Sequence, residues 1–193
     1  SNLDVAVSID TSKPEVMRAA VAAGATLIND VFALRRDEAL ATAAELQVAV
    51  CLVHMFGQPQ TMQEQPSYDN LPGDVIDFLQ QRVATCLQAG IAGDCIIIDP
   101  GFGFGKNDQH NLQILARLSQ FSDVGLPILV GLSRKQTLGN LTGQKPRDRV
   151  LAGAVAAAIA VRQGAHIVRT HDVAATAEAL RIADAVRQAG KDE

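Results

Sequence analysis

Ile96-Ile97-Ile98-Asp99-Pro100-Gly101-Phe102-Gly103-Phe104-Gly105-Lys106 sets three isoleucines ahead of an aspartate and then alternates glycine with phenylalanine up to a lysine. The isoleucine run reads as a strand buried on both faces. Asp99-Pro100-Gly101 reads either as the turn that leaves the strand or as a partly desolvated carboxylate that seeks a ligand offering two N–H groups side by side. The glycines leave backbone N–H groups uncovered and let a flat molecule approach, with Phe102 or Phe104 available to stack on it.

Working outward, five more short apolar runs share this character: 5–10 (VAVSID), 26–30 (TLIND), 49–54 (AVCLVH), 127–133 (PILVGLS) and 166–171 (HIVRTH). Helical patterns lie between them at 14–23, 37–46, 74–89, 109–120 and 147–163, with a last one at 173–189. Even the shortest start-to-start spacing, from residue 5 to residue 26, leaves room for a crossover helix, so the runs predict parallel βα units. Ser12-Lys13-Pro14-Glu15 has the form of a capping box, and Gly24 is the expected stop of that first helix.

Each predicted strand finishes on a polar side chain: Asp10, Asn29, His54, Asp99, Ser133 and the Arg169/His171 pair. Any one of these suits a turn or a helix cap. Together they suit a ligand site, because the carboxyl ends of parallel strands line the sites of α/β proteins and above all of (β/α)₈ barrels. Ser133-Arg134-Lys135 closes one run and opens a short helix, where a hydroxyl and free N–H groups can meet an anion. Arg169 and His171, two apart, project from one strand face and suit a phosphate or pyrophosphate. His54 and His110 read as strand-end and helix-start residues.

Bulk properties narrow the class. A chain of 193 residues, 48% hydrophobic and 20% charged, makes one substantial core and a single domain over 1–193. A net charge of −4 argues against a nucleic-acid surface. The longest apolar run, residues 150–161, is too short to span a bilayer. Cys51, Cys86 and Cys95 are odd in number and lack CxxC spacing, which reads as reduced thiols in a cytoplasmic protein.

The motifs SIDTSKPEV (8–16), LIND (27–30), HMFGQPQTMQ (54–63), DPGFGFGK (99–106), GLSRK (131–135) and RTHD (169–172) resemble those of dihydropteroate synthases, pterin-binding enzymes with a TIM (β/α)₈ barrel. The resemblance implies a transferase of folate biosynthesis that joins 6-hydroxymethyl-7,8-dihydropterin pyrophosphate to p-aminobenzoate, releasing pyrophosphate, with sulfonamides as competitors. It implies that Asp10, Asn29 and Asp99 hold the pterin, that Lys135 touches its ring, and that Phe104 borders the p-aminobenzoate pocket. Ser133 would hold the carboxylate end, and Arg169 with His171 the pyrophosphate. Lys135, Arg169 and His171 are the expected catalytic set.

Against that family only about six of eight βα units are present. The first two strands, with the loops expected to carry Mg²⁺ and to cover the reacting centre, have no counterpart here, so an amino-terminally truncated barrel with weak or no turnover is expected, and no metal ligands in this chain. An open six-stranded sheet would have two long Val/Ile-rich edges, which predicts a homodimer or a strand-exchanged assembly. Two alternatives share the pterin floor: a methyltetrahydrofolate-dependent methyltransferase and a non-catalytic pterin-binding fragment. A scaffold role is the bland third.

Overall fold

The computed structural model describes residues 5–57 and 66–190, so residues 58–63 of the HMFGQPQTMQ stretch lie outside the described residues. Six parallel strands follow the chain: β1 (Ser8–Asp10), β2 (Leu27–Asp30), β3 (Ala49–Val53), β4 (Ile96–Asp99), β5 (Leu129–Val130) and β6 (Ile167–Val168). The first four form one sheet in sequence order and the last two pair separately. Ile98 bridges to Ile128, and its N–H donates to Pro127, so the two sheets are one arc.

Helices α1 (Pro14–Ala22), α2 (Ala39–Leu46), α3 (Gly73–Gln88), α4 (Asp108–Ala116), α5 (Gln136–Thr142), α6 (Val150–Arg162) and α7 (Val173–Ala189) alternate with these strands. The alternation is that of a (β/α)₈ barrel with six of its units described.

Strand parity divides the side chains. Ile28, Val50, Leu52, Ile96, Ile98, Ile128 and Val130 belong to the main core beneath the helices, together with Met17, Leu79, Ile114 and Phe121. Residues of the other parity face inward, where Cys51, Val53 and Leu129 form a small second cluster with Leu27, Ile97 and Phe104 against it. Asn29 and Asp99 share that inward parity. The three isoleucines therefore do two jobs: 96 and 98 anchor the helices, and 97 forms the layer from which Asp99 emerges.

Several expectations change. The Ser12–Glu15 capping box does not form: Pro14 occupies the first turn, Lys13 becomes the N-cap without a side-chain bond, and Thr11 Oγ1 accepts from Lys13 N. The reciprocal box stands instead at α4, where Asn107 Oδ1 accepts from His110 N at 2.8 Å and His110 Nδ1 accepts from Asn107 N. Gly24 does stop α1, at φ +104°, with Ala25 N bonded back to Ala20 O. Strands β5 and β6 end at Val130 and Val168, so Ser133, Arg169 and His171 stand in loops.

The long sheet edges shrink as well. The edge strands are the three residues of β1 and the two of β6. Apolar exposure gathers on the helices instead, at Leu151, Val155 and Ile159 of α6 and at Ile182 and Val186 of α7, along a groove of about 950 Å³. No helix of the described residues is long and apolar enough to cross a membrane.

Candidate functional site

Asp99 is 1% exposed at the end of β4 and has both oxygens engaged. Oδ1 accepts from Gly101 N at 2.8 Å, and Oδ2 accepts from Arg169 Nη2 at 3.1 Å. Burial pushes the Asp99 carboxyl above its ordinary range; Arg169, the Gly101 N–H, Lys135 and Lys106 pull the other way.

The same guanidinium reaches across the sheet. Arg169 Nη1 donates to Asn29 Oδ1 at 2.9 Å, leaving the Asn29 amide nitrogen buried and without a partner. That nitrogen and Thr42 Oγ1 are the only buried side-chain polar atoms so placed among the described residues. Gly131 leaves room for the crossing, since a Cβ there would sit 2.9 Å from Arg169 Nη2 and make the guanidinium shift. Asp10 pairs with Asn29 in register at the outer end of β1 and is exposed.

Lys135 lies beside this group. Its ammonium is 4.4 Å from the centroid of Phe104, which makes a cation–π contact, and its stem runs over Gly103. Burial holds Lys135 below its ordinary value, Asp99 raises it, Arg169 lowers it further and Asp10 raises it. Phe102, the other phenylalanine of the loop, is buried in the main core, so Phe104 alone is available to a ligand.

Arg169 and His171 divide their duties, because neither sits on the strand. Arg169 turns inward to Asp99 and Asn29, whereas His171 stays at the rim, its N–H and Nδ1 3.2 and 3.1 Å from Ser133 Oγ. Helix α5 begins at Gln136 with Lys135 as its N-cap, so Ser133 stands short of that helix end and its hydroxyl serves His171.

Four supporting residues carried no role in the sequence reading. Arg149 is 5% exposed and donates to the backbone oxygens of Arg134, Lys135 and Gln144 at 2.9, 3.1 and 2.9 Å. Asn111 accepts from Gly103 N. Lys106 is 2% exposed, with its ammonium 2.8 Å from His54 Nδ1 and 3.1 Å from each of Gly101 O and Phe104 O. Tyr68 Oη donates to Gly105 O. Lys106 was visible inside the opening motif; Arg149 and Asn111, mid-pattern on helical segments, gave no signal of their own.

Among the described residues no group of three or more His, Cys, Asp or Glu is placed to hold a metal ion. The strand ends instead present a carboxylate, an unpaired amide N–H, a guanidinium and an ammonium within one cluster. Such a set suits a planar heterocycle that carries both donors and acceptors on its edge, next to an anion.

Residues 1–171 match the family model described as pterin binding enzyme. The dihydropteroate synthase of Escherichia coli (strain K12) is 47% identical over 190 residues, which are 98% of this chain and 67% of that protein. A crystal structure of the Yersinia pestis dihydropteroate synthase in a sulfonamide drug complex superposes with a TM-score of 0.96 at 47% identity, over 97% of this chain and 69% of that one. The Xanthomonas albilineans dihydropteroate synthase in complex with 7,8-dihydropteroate superposes at 0.88, again at 47% identity, over 95% of this chain and 69% of that one. At this identity and coverage, with the pterin-type cluster at the strand ends, the chain belongs to the dihydropteroate synthase family of pterin-binding enzymes.

Proposed function

We propose that this chain forms the pterin and p-aminobenzoate floor of a dihydropteroate synthase, a transferase of folate biosynthesis that condenses 6-hydroxymethyl-7,8-dihydropterin pyrophosphate with p-aminobenzoate. The observation that carries the reading is the buried Asp99 carboxylate, joined through Arg169 to Asn29, whose amide nitrogen has no partner. A pterin edge offers adjacent amino and ring N–H donors to the first and a ring acceptor to the second, which relieves the cost of leaving that donor unpaired. The relatives' complexes with 7,8-dihydropteroate and with a sulfonamide support the substrate class and the sulfonamide competition.

The chemistry follows from placement. The methylene–oxygen bond breaks as pyrophosphate leaves, and the electron-rich dihydropterin spreads the positive charge. The neutral aromatic amine then forms the carbon–nitrogen bond and gives up a proton. Lys135, with Arg169 behind Asp99, supplies positive charge near the departing anion, and His171 adds a donor at the rim. Phe104 lies against the Lys135 ammonium and walls the aromatic side, and a carboxylate that meets Ser133 shares its hydroxyl with His171.

The resemblance assigns Mg²⁺ and the covering loops to the part of the relatives that this chain does not match; the described residues offer no metal cluster. The three free cysteines suit a reducing cytoplasm. Pairing of two copies is the proposed assembly, supported by the apolar α6/α7 groove and the uncovered edges, and a monomer in sedimentation equilibrium would overturn it.

Calorimetric titration with a pterin pyrophosphate analogue tests the site. The chain binds, and Asp99→Ala weakens binding by about 100-fold or more. Equal binding by both chains would remove the pterin from this floor.

A further inference from the structure

The glycine loop that carries Phe104 is not held by its own sequence. Gly101, Gly103 and Gly105 have φ of +72°, +78° and +63°, and the loop presses against the end of β3 so closely that a Cβ on Gly101 would overlap His54 O and one on Gly105 would overlap Phe56 O. In that shape the Gly101 and Phe104 carbonyls converge on the side chain that closes the motif, Lys106, and the third contact of its ammonium is His54 Nδ1.

An ammonium has three protons to donate and no lone pair, and here it meets three acceptors. His54 must therefore accept at Nδ1 and carry its own proton on Nε2. Burial and the Lys106 charge hold His54 down to about 2, which keeps the ring neutral. The charged and titratable groups around Lys106 are His54 just after β3, Asp99 from β4, Lys135 from the loop before α5, His110 from α4, and the Tyr68 ring, 5.9 Å from the ammonium.

We propose that Lys106 is a positioning residue for the aromatic amine: its buried ammonium, shared with His54, fixes the 101–105 loop so that Phe104 lies over Lys135 and walls the p-aminobenzoate side of the site. The proposal rests on the dihydropteroate synthase reading for its ligand. Its loop geometry does not depend on that reading.

The experiment pairs amide hydrogen exchange with titration, on the wild-type chain and on Lys106→Met, which keeps the apolar stem. In the variant, exchange at residues 103–105 speeds up at least about tenfold, and the His54 ring nitrogens lose their Nε2–H preference by ¹⁵N NMR. With a pterin pyrophosphate analogue at saturation, 4-aminobenzoate binding weakens about tenfold or more, while the analogue's own affinity changes less than about threefold.

Unchanged loop exchange in Lys106→Met, or equal losses for both ligands, overturns the proposal. A wild-type chain that binds no pterin sinks the functional reading, and the ligand-free exchange data then decide the Lys106 role. Should the variant fail to fold, the His54 tautomer in the wild-type chain decides it instead: an Nε2–H ring supports the Lys106 contact at Nδ1, and an Nδ1–H ring overturns it.

Discussion

The two halves of the strand arc position their site residues by different means. On the β1–β4 side the ladder does it: Asn29 lies opposite Asp10 and Cys51, and Asp99 opposite Val53, so burial and side-chain direction follow from register. On the β5–β6 side the strands are two residues each, and the site residues hang beyond them in loops. Side chains brace those loops: Arg149 beneath 134–135, the Arg134–Asp172 ion pair between the two loops, and Arg169 reaching back to Asp99. The groups proposed to recognise the pterin sit on the ladder, and the cations proposed to meet the leaving anion sit on the braced loops.

If braces rather than ladder hold the second half, the largest stability effect of a single polar substitution belongs to a brace. Arg149→Met keeps the stem and removes donors to three backbone oxygens, and Arg134, one of the residues so braced, holds a left-handed φ of +60°. Its unfolding free energy falls by about 3 kcal/mol in urea titrations, the cost of stranding buried carbonyls. Lys135-dependent binding falls with it, more for a pterin pyrophosphate analogue than for a pterin lacking the pyrophosphate. A loss confined to stability, with anion affinity intact, would erase the distinction between the halves.

This division also explains what could be read from the sequence. All six strands and the order of the helices were legible because buried parallel strands write themselves as Val/Ile/Leu runs. Asp99 and Asn29 were legible because strand ends in such folds line sites. Where position depended on distant side chains, the sequence was silent. Nothing local announces that Arg149 reaches back to residue 134, that Gly131 is a glycine to let Arg169 cross, or that Arg169 and His171 part company once β6 stops at Val168. The capping box misread at Ser12 failed for a local reason, Pro14, which fixed the helix start one residue later than the pattern implied.

The smaller expected effect falls on the ladder side and separates stability from binding. Asn29 is 3% exposed and gives its oxygen to Arg169, but its amide nitrogen has no partner, so the folded chain carries a buried donor at a cost. Asn29→Leu deletes that donor together with the bond to Arg169, which keeps its contact with Asp99. Removing an unsatisfied group offsets the lost hydrogen bond, so the unfolding midpoint stays close to that of the parent chain. Affinity for a pterin pyrophosphate analogue nonetheless falls about tenfold, or roughly 1.4 kcal/mol, because the ligand loses the Asn29 donor that the fold had left open. A variant that loses stability and binding in step would mean the amide is structural, and the ladder side would then differ from the braced side only in how its residues are held.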